Sequence, residues 1–255
     1  MPRPSEPAGT LPVAAPPRVA AWLAAAPDGP VPVLHACAEI VHLEVAGRAV
    51  AVASGPAAGL PHATRTSLSL VTTSALPTPY LESGILHWDG RALVTGRLVD
   101  VRAPRLDTEW VLQTSPAADL GTPRSRGAGL VARPGPVTPA GVPELVGRGG
   151  GLTPWGDDVL CGWLALHRSL RLPTPAVDDA VRRALPRTTL LSATLLECAL
   201  AGEVADLLGG YLRSLGTPAE DAARTALLGL GHSSGHGLAL GVDLARAALS
   251  EELAA

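Results

Sequence analysis

The chain has no lysine, and all 20 of its basic residues are arginine. That absence excludes the amine nucleophile of Schiff-base and pyridoxal chemistry, and the lysine that a P-loop places on its phosphates. Asparagine and phenylalanine are missing too, and only two isoleucines occur. With its excess of Ala, Gly, Pro and Arg, this is the composition of a GC-rich coding sequence, so abundant glycine alone carries no functional weight. Cysteine is scarce. Cys37, Cys161 and Cys198 are odd in number and widely spaced, which suits reduced thiols in a cytoplasmic protein better than a disulfide framework. No apolar stretch is long enough to span a membrane. The opening MPRPSEPAGTLPVAAPP is too broken by proline to read as a signal peptide. A net charge of −3 gives no reason to expect nucleic acid or a membrane as partner. The expectation is a soluble cytoplasmic protein that handles a small molecule.

What is present points to an α+β chain whose halves follow different patterns. Residues 1–17 are expected as a flexible Pro-rich N-terminus, 18–133 as a β-rich domain, 134–143 as a Pro-rich linker and 144–255 as a helical domain with Gly-rich loops. In the β-rich part, AEIVHLEV and RAVAVAS flank a turn at Gly47, and TSLSLVTT alternates polar with apolar residues. GILHWDGRALVTGRLVDV predicts a hairpin turning at Asp89-Gly90, a pair that tolerates positive φ. These segments suit a small antiparallel barrel or sandwich. DTEWVLQ suits a short helix. In the helical part, Thr153-Pro154, Thr174-Pro175 and Thr217-Pro218 each set a capping hydroxyl before a first-turn proline, and Thr217 with Glu220 fits a capping box. TTLLSATLLECALAGEVADLLGGYL predicts one long buried central helix, and GLALGVDLARAALSEELAA a final one.

Three stretches could carry chemistry. In GRGGGLTPWGDDVLCGW, Gly149, Gly150 and Gly151 let several backbone N–H groups face one concavity at the start of a helix, an arrangement that suits an anion. Thr153 can cap that helix or donate to a ligand. Asp157 and Asp158, in its first turn, could hold Mg²⁺ or accept a proton, or could simply complement the helix dipole. The second stretch gathers the hydroxyls of Thr188, Thr189 and Ser192 at a helix start, where capping accounts for at least one of them. The third, GLGHSSGHG, contains the G-x-S-x-G spacing of a nucleophile elbow around Ser233. An elbow joins a strand to a helix, however, and the AEDAARTALLGL before it has helical spacing. Ser233 is therefore expected not to be a nucleophile, and the stretch reads as a second anion loop with Ser233 or Ser234 as helix cap. His232 is the candidate acid/base there. A zinc site at His232 and His236 lacks a third ligand, and Gly235 and Gly237 weigh against one continuous helix face. Cys161 and Cys198, in apolar helical runs, read as core.

The three motifs in this order, GLTPWGDD (Gly151–Asp158), TTLLS (Thr188–Ser192) and GHSSG (Gly231–Gly235), resemble a bacterial family of unknown-function domains. That family includes one subunit of the oxamate carbamoyltransferase of anaerobic allantoin breakdown. The resemblance covers mostly residues 145–245. Trp155 stands where the family pattern has a small hydroxyl residue, where it would narrow the loop mouth or stack on a ligand. His236-Gly237 replaces a small residue followed by an acid, and Arg148 is an added cation. The resemblance implies a role, within a multi-subunit enzyme, in moving a carbamoyl group between an oxalurate-like amide and phosphate. In that scheme Gly149, Gly150, Gly151 and Thr153 cradle phosphate, and Asp157 or Asp158 holds Mg²⁺ or orients the amide. Thr188, Thr189, Ser192, Ser233 and Ser234 line the pocket, His232 acts as acid/base and Arg148 pairs with a carboxylate. The alternatives are a non-catalytic ligand-binding or assembly subunit and, further off, a nucleotide-dependent kinase-like enzyme. Convergence of the three motifs on one locus is what separates the first reading from the others.

Overall fold

Short alternating segments build a nine-stranded sheet in the first of the two units into which the computed structural model divides, Met1–Val101 and Arg102–Ala255. The structure describes residues 9–55, 57–67, 78–107, 109, 111 and 135–254. The elements of the first unit are β1 (Gly9–Ala15), α1 (Pro17–Ala25), β2 (Gly29–Pro30), β3 (Val33–Ala36), β4 (Ile40–Val45), β5 (Arg48–Ala53), β6 (Ala63–Arg65), β7 (Tyr80–Glu82), β8 (Ile85–Trp88) and β9 (Arg91–Leu98). The sheet runs β2-β7-β8-β9-β1-β6-β5-β4-β3 and curls into a half-barrel. Its pairings are antiparallel except for β1 with β9 and β5 with β6.

The expected hairpin is present, with Asp89 at φ 50° and Gly90 at φ 71°, both positive as a primed turn requires. Alternation along β5 sends Val50 and Val52 to one face of the sheet and Ala51 and Ala53 to the other. The valine face joins Val41, Leu43, Leu81 and Leu86 under Val19 and Leu23 of α1. The stretch read as a flexible N-terminus instead contributes β1, in parallel register with β9 from Gly9↔Arg91 onward. Pro12 is tolerated there because β1 pairs with β6 only at Ala14↔Arg65, so the donor that proline lacks has no ladder partner to lose. Most of TSLSLVTT and DTEWVLQ lies outside the described residues.

The second unit is helical: α2 (Val142–Leu145), α3 (Trp155–Ser169), α4 (Pro175–Ala184), a 3₁₀ turn (Leu185–Arg187), α5 (Leu190–Leu200), α6 (Asp206–Ser214), α7 (Glu220–Leu228) and α8 (Ser234–Ala254). The predicted long central helix is two helices, α5 and α6. Gly202, at φ 76°, takes the left-handed conformation that ends the first, and the Ala201 N–H closes on the carbonyls of Glu197 and Cys198. The buried central helix is α3, of which every residue except Arg168 is buried. Its closest neighbour is α8. A Cβ on Gly162 would lie 2.0 Å from the Leu238 carbonyl, and one on Gly241 would lie 2.1 Å from that of Val159. These glycines let the two backbones touch. Gly235 and Gly237 pack as closely, against the Leu227 carbonyl of α7 and against Asp158 and Trp155 of α3, and α8 runs unbroken through them: against the expectation from propensity, close packing outweighs the intrinsic cost. Arg224 on α7 clamps Asp243 on α8 through two hydrogen bonds and also donates to the Tyr211 hydroxyl of α6. Arg246 holds Glu220, which in turn accepts from the Gly216 N–H. The middle of α8 is thereby tied to α6 and α7.

Candidate functional site

The Gly-rich loop leaves α2 at Gly147, whose φ of 76° turns the chain and whose bare Cα lets it pass the Arg187 carbonyl. Gly149 and Gly151 also have positive φ, and Gly149 through Leu152 are exposed. The loop is pinned at both ends: the Arg148 N–H donates to Leu145 O at 2.9 Å, and the Gly156 N–H to Arg148 O at 2.9 Å. Between them the N–H groups of Gly149, Gly150 and Gly151 make no hydrogen bond among the described residues.

Each of the other two motifs meets this loop. Thr189 caps α5 by accepting from the Ser192 N–H, and its hydroxyl donates to Leu152 O at 2.6 Å. Thr188 donates to Asp157 Oδ2, while the Gly147 N–H donates to Asp157 Oδ1 at 2.9 Å. The Thr153 and Ser234 hydroxyls lie 2.9 Å apart. The N-termini of α3, α5 and α8 are thus joined by bonds among the three motifs, and their N-terminal dipole ends gather at one locus.

The two aspartates of the first turn differ. Asp157, 1% exposed, has a donor on each carboxylate oxygen and braces the loop against the start of α5. To take Mg²⁺ it would have to release those donors. Asp158, 5% exposed, interacts with the Ser234 hydroxyl, and its Oδ2 is buried without a hydrogen-bond partner. Burial pushes the Asp158 carboxyl well above its ordinary range; the Ser234 hydroxyl opposes this, and the neighbouring Asp157 charge adds to it. Among the described residues no three His, Cys, Asp or Glu side chains gather as a metal ion would need.

Other expected site residues fall differently. Trp155 is 8% exposed, with its backbone N and Cβ packed against Gly149 of the loop and its Cδ1 along Gly237 of α8. Ser192 is 1% exposed and points its side chain away from solvent, with its N–H serving the Thr189 cap. His232 is exposed in the turn before α8, Ser233 is half-buried with its carbonyl accepting from the Gly237 N–H, and Arg148 is half-buried. The element before Ser233 is α7, a helix, so the strand of a nucleophile elbow is not there. Cys161 and Cys198 are buried, and burial pushes the Cys161 thiol up, away from reactivity.

Sequence reasoning missed Gly147 and Gly237. A Cβ at position 237 would lie 2.6 Å from the Asp158 Cβ, so an acid could not stand there. The signal was the four-residue spacing of Gly237 and Gly241, which with Gly162 line the contact of α3 with α8.

The family model described as "Oxamate carbamoyltransferase subunit AllH" matches residues 145–246, most of the helical unit and none of the sheet. The resemblance drawn from the three motifs is borne out over that range. No curated protein and no solved structure gives a significant match.

Proposed function

We propose, on the premise that residues 145–246 share the fold unit of the oxamate carbamoyltransferase AllH subunits, that this carbamoyltransferase-related subunit binds a small anion at the Gly149–Gly151 loop. The ligand class is phosphate, carbamoyl phosphate or an oxamate-like carboxylate. One observation carries the reading: three helix N-termini, each bearing one of the three motifs, are hydrogen-bonded to one another around a loop with uncommitted N–H groups. Helix N-termini and glycine loops bind anions through such donors. Arg148 at the loop's edge would add positive charge, and His232, two residues before the start of α8, is the candidate acid or base. In this reading Asp157 shapes the loop and does not touch the ligand. Partner subunits would complete the enzyme, as the name of the family states of its members.

Gly150 offers a clean test. A Cβ there meets nothing within 4 Å and its φ is not positive, so Gly150→Asp adds a negative charge to the loop without disturbing the fold. Calorimetric titration with carbamoyl phosphate should show saturable binding to the wild-type chain, weakened at least about ten-fold in the variant. Equal binding by both would place the anion elsewhere, and no binding by the wild type would sink the stand-alone site.

A further inference from the structure

Two arginines stand at the entry of the Gly-rich loop with no partner for their charge. Gly147 packs against Arg187: a Cβ there would lie 2.5 Å from the Arg187 carbonyl oxygen and 3.7 Å from the Thr188 Cα. Arg148 follows Gly147 directly, and its main chain is held from both sides, by the Leu145 carbonyl and the Gly156 N–H. Both side chains therefore start from fixed points beside the loop. Arg187 is exposed at the end of the 3₁₀ turn, and Arg148 is half-buried. Arg168, Arg182, Arg224 and Arg246 each hold a carboxylate; among the described residues the guanidinium groups of Arg148 and Arg187 hold none. Arg187 was not among the residues singled out from the sequence.

Charge acts here whatever direction the side chains take. Consecutive Cα atoms are about 3.8 Å apart, so Gly149 lies no more than ~7.6 Å from the Gly147 Cα that Arg187 touches. Screening at 0.1 M salt sets in over about 10 Å, so both charges are felt at the loop N–H groups. Against these two positive charges stands one carboxylate at the loop, Asp157, already bonded to the Gly147 N–H and the Thr188 hydroxyl. Glu144, exposed on α2, is offset by Arg183, exposed on α4, which packs against α2.

Resting on the anion reading above, we propose that Arg187 and Arg148 form a cationic rim that makes this loop select a doubly charged anion over a singly charged one of the same shape. The loop N–H groups supply hydrogen bonds to either ligand, and the rim supplies the difference. Arginine keeps its charge at every working pH, so selection follows the charge of the ligand. The rim is open to solvent, so selection weakens as salt is added.

Two ligand pairs of matched shape and different charge test this on the full chain: sulfate against methanesulfonate, and oxalate against oxamate. Calorimetry at low salt should show the dianion of each pair binding about ten-fold tighter, an advantage that shrinks as salt is raised. Arg187→Gln should cut that ratio at least about three-fold, with most of the loss on the dianion, and Arg187→Lys should keep it. Arg148→Gln should act in the same direction. A wild type that binds these anions without regard to their charge overturns the rim and leaves the anion site standing. A wild type that binds none of the four overturns both. If Arg187→Gln leaves both members of a pair untouched, or weakens both by the same factor while circular dichroism is unchanged, Arg187 is not a selector and the assignment is wrong. Loss of the ratio in Arg187→Lys as well would show that charge is not its cause.

Discussion

At Asp157 a single carboxylate joins three pieces of chain: its own helix, the loop entry at Gly147 and the start of α5 at Thr188. Because the group is 1% exposed, Asp157→Ala leaves two donors facing an interior without acceptors. The expected loss is about 2–4 kcal/mol, read as a fall of roughly 5–10 °C in the melting temperature. Asp157→Asn should recover little, because its amide nitrogen would face one of the two donors. A melting temperature unchanged by both substitutions would show that the brace carries no load. This role was not legible in the sequence. An aspartate in a helix's first turn looks the same whether it meets the dipole, a metal ion or two donors from residues 10 and 31 positions away. A cap among Thr188, Thr189 and Ser192 was readable, since hydroxyls at a helix start have that dominant use, and it falls on Thr189.

Between elements, the contact of α3 with α8 depends on glycine in a way that single-helix propensity cannot express. Gly162→Ala would drive a methyl group into the Leu238 carbonyl, and the helices must part to admit it. It should cost about 3 kcal/mol or more. The same substitution at Gly210, inside α6, meets nothing within 4 Å and should stabilise by about 0.5–1 kcal/mol. Chemical denaturation of the two variants checks the opposite signs; equal effects would mean that the α3–α8 contact yields easily. The hairpin turn at Asp89-Gly90 and the helix start at Pro175 were legible because local chemistry decides them. The expected threonine caps were not borne out: Thr174 makes no cap hydrogen bond, and α3 and α7 begin at Trp155 and Glu220, with Pro154 and Ala219 in the cap positions. The break at Gly202 and the strand at Gly9–Ala15 were not legible, because each depends on what the segment packs against.

Within the first unit, two buried histidines make stability depend on pH. His42 and His62 stack with ring centroids 5.4 Å apart and are 8% and 0% exposed. Burial, reinforced by the charge of a neighbouring histidine in each case, lowers His42 to about 4 and His62 to about 3. Above the ordinary histidine value of 6.5 both states are neutral and nothing is lost. As pH falls below it, the unfolded chain takes up protons that the folded chain refuses until it reaches those lowered values. Stability should therefore drop with falling pH by up to ~1.4 kcal/mol per unit for each histidine. Urea midpoints at pH 7.5, 6 and 5 measure the slope, which His62→Gln should reduce; an unaltered slope would assign it to other groups. Among the described residues no helix is long and apolar enough to cross a membrane.

The bonds that join the three motifs span 31, 37 and 81 positions of sequence. Loop closure over such distances is complete only when α3, α5 and α8 are all in place, so no partly folded form of the helical unit contains the site. A ligand held there recognises the finished fold alone. Its binding energy would be shared by the whole unit, raising the free energy of every opening that separates those helices, and amides far from the loop should exchange more slowly with solvent when the anion is bound.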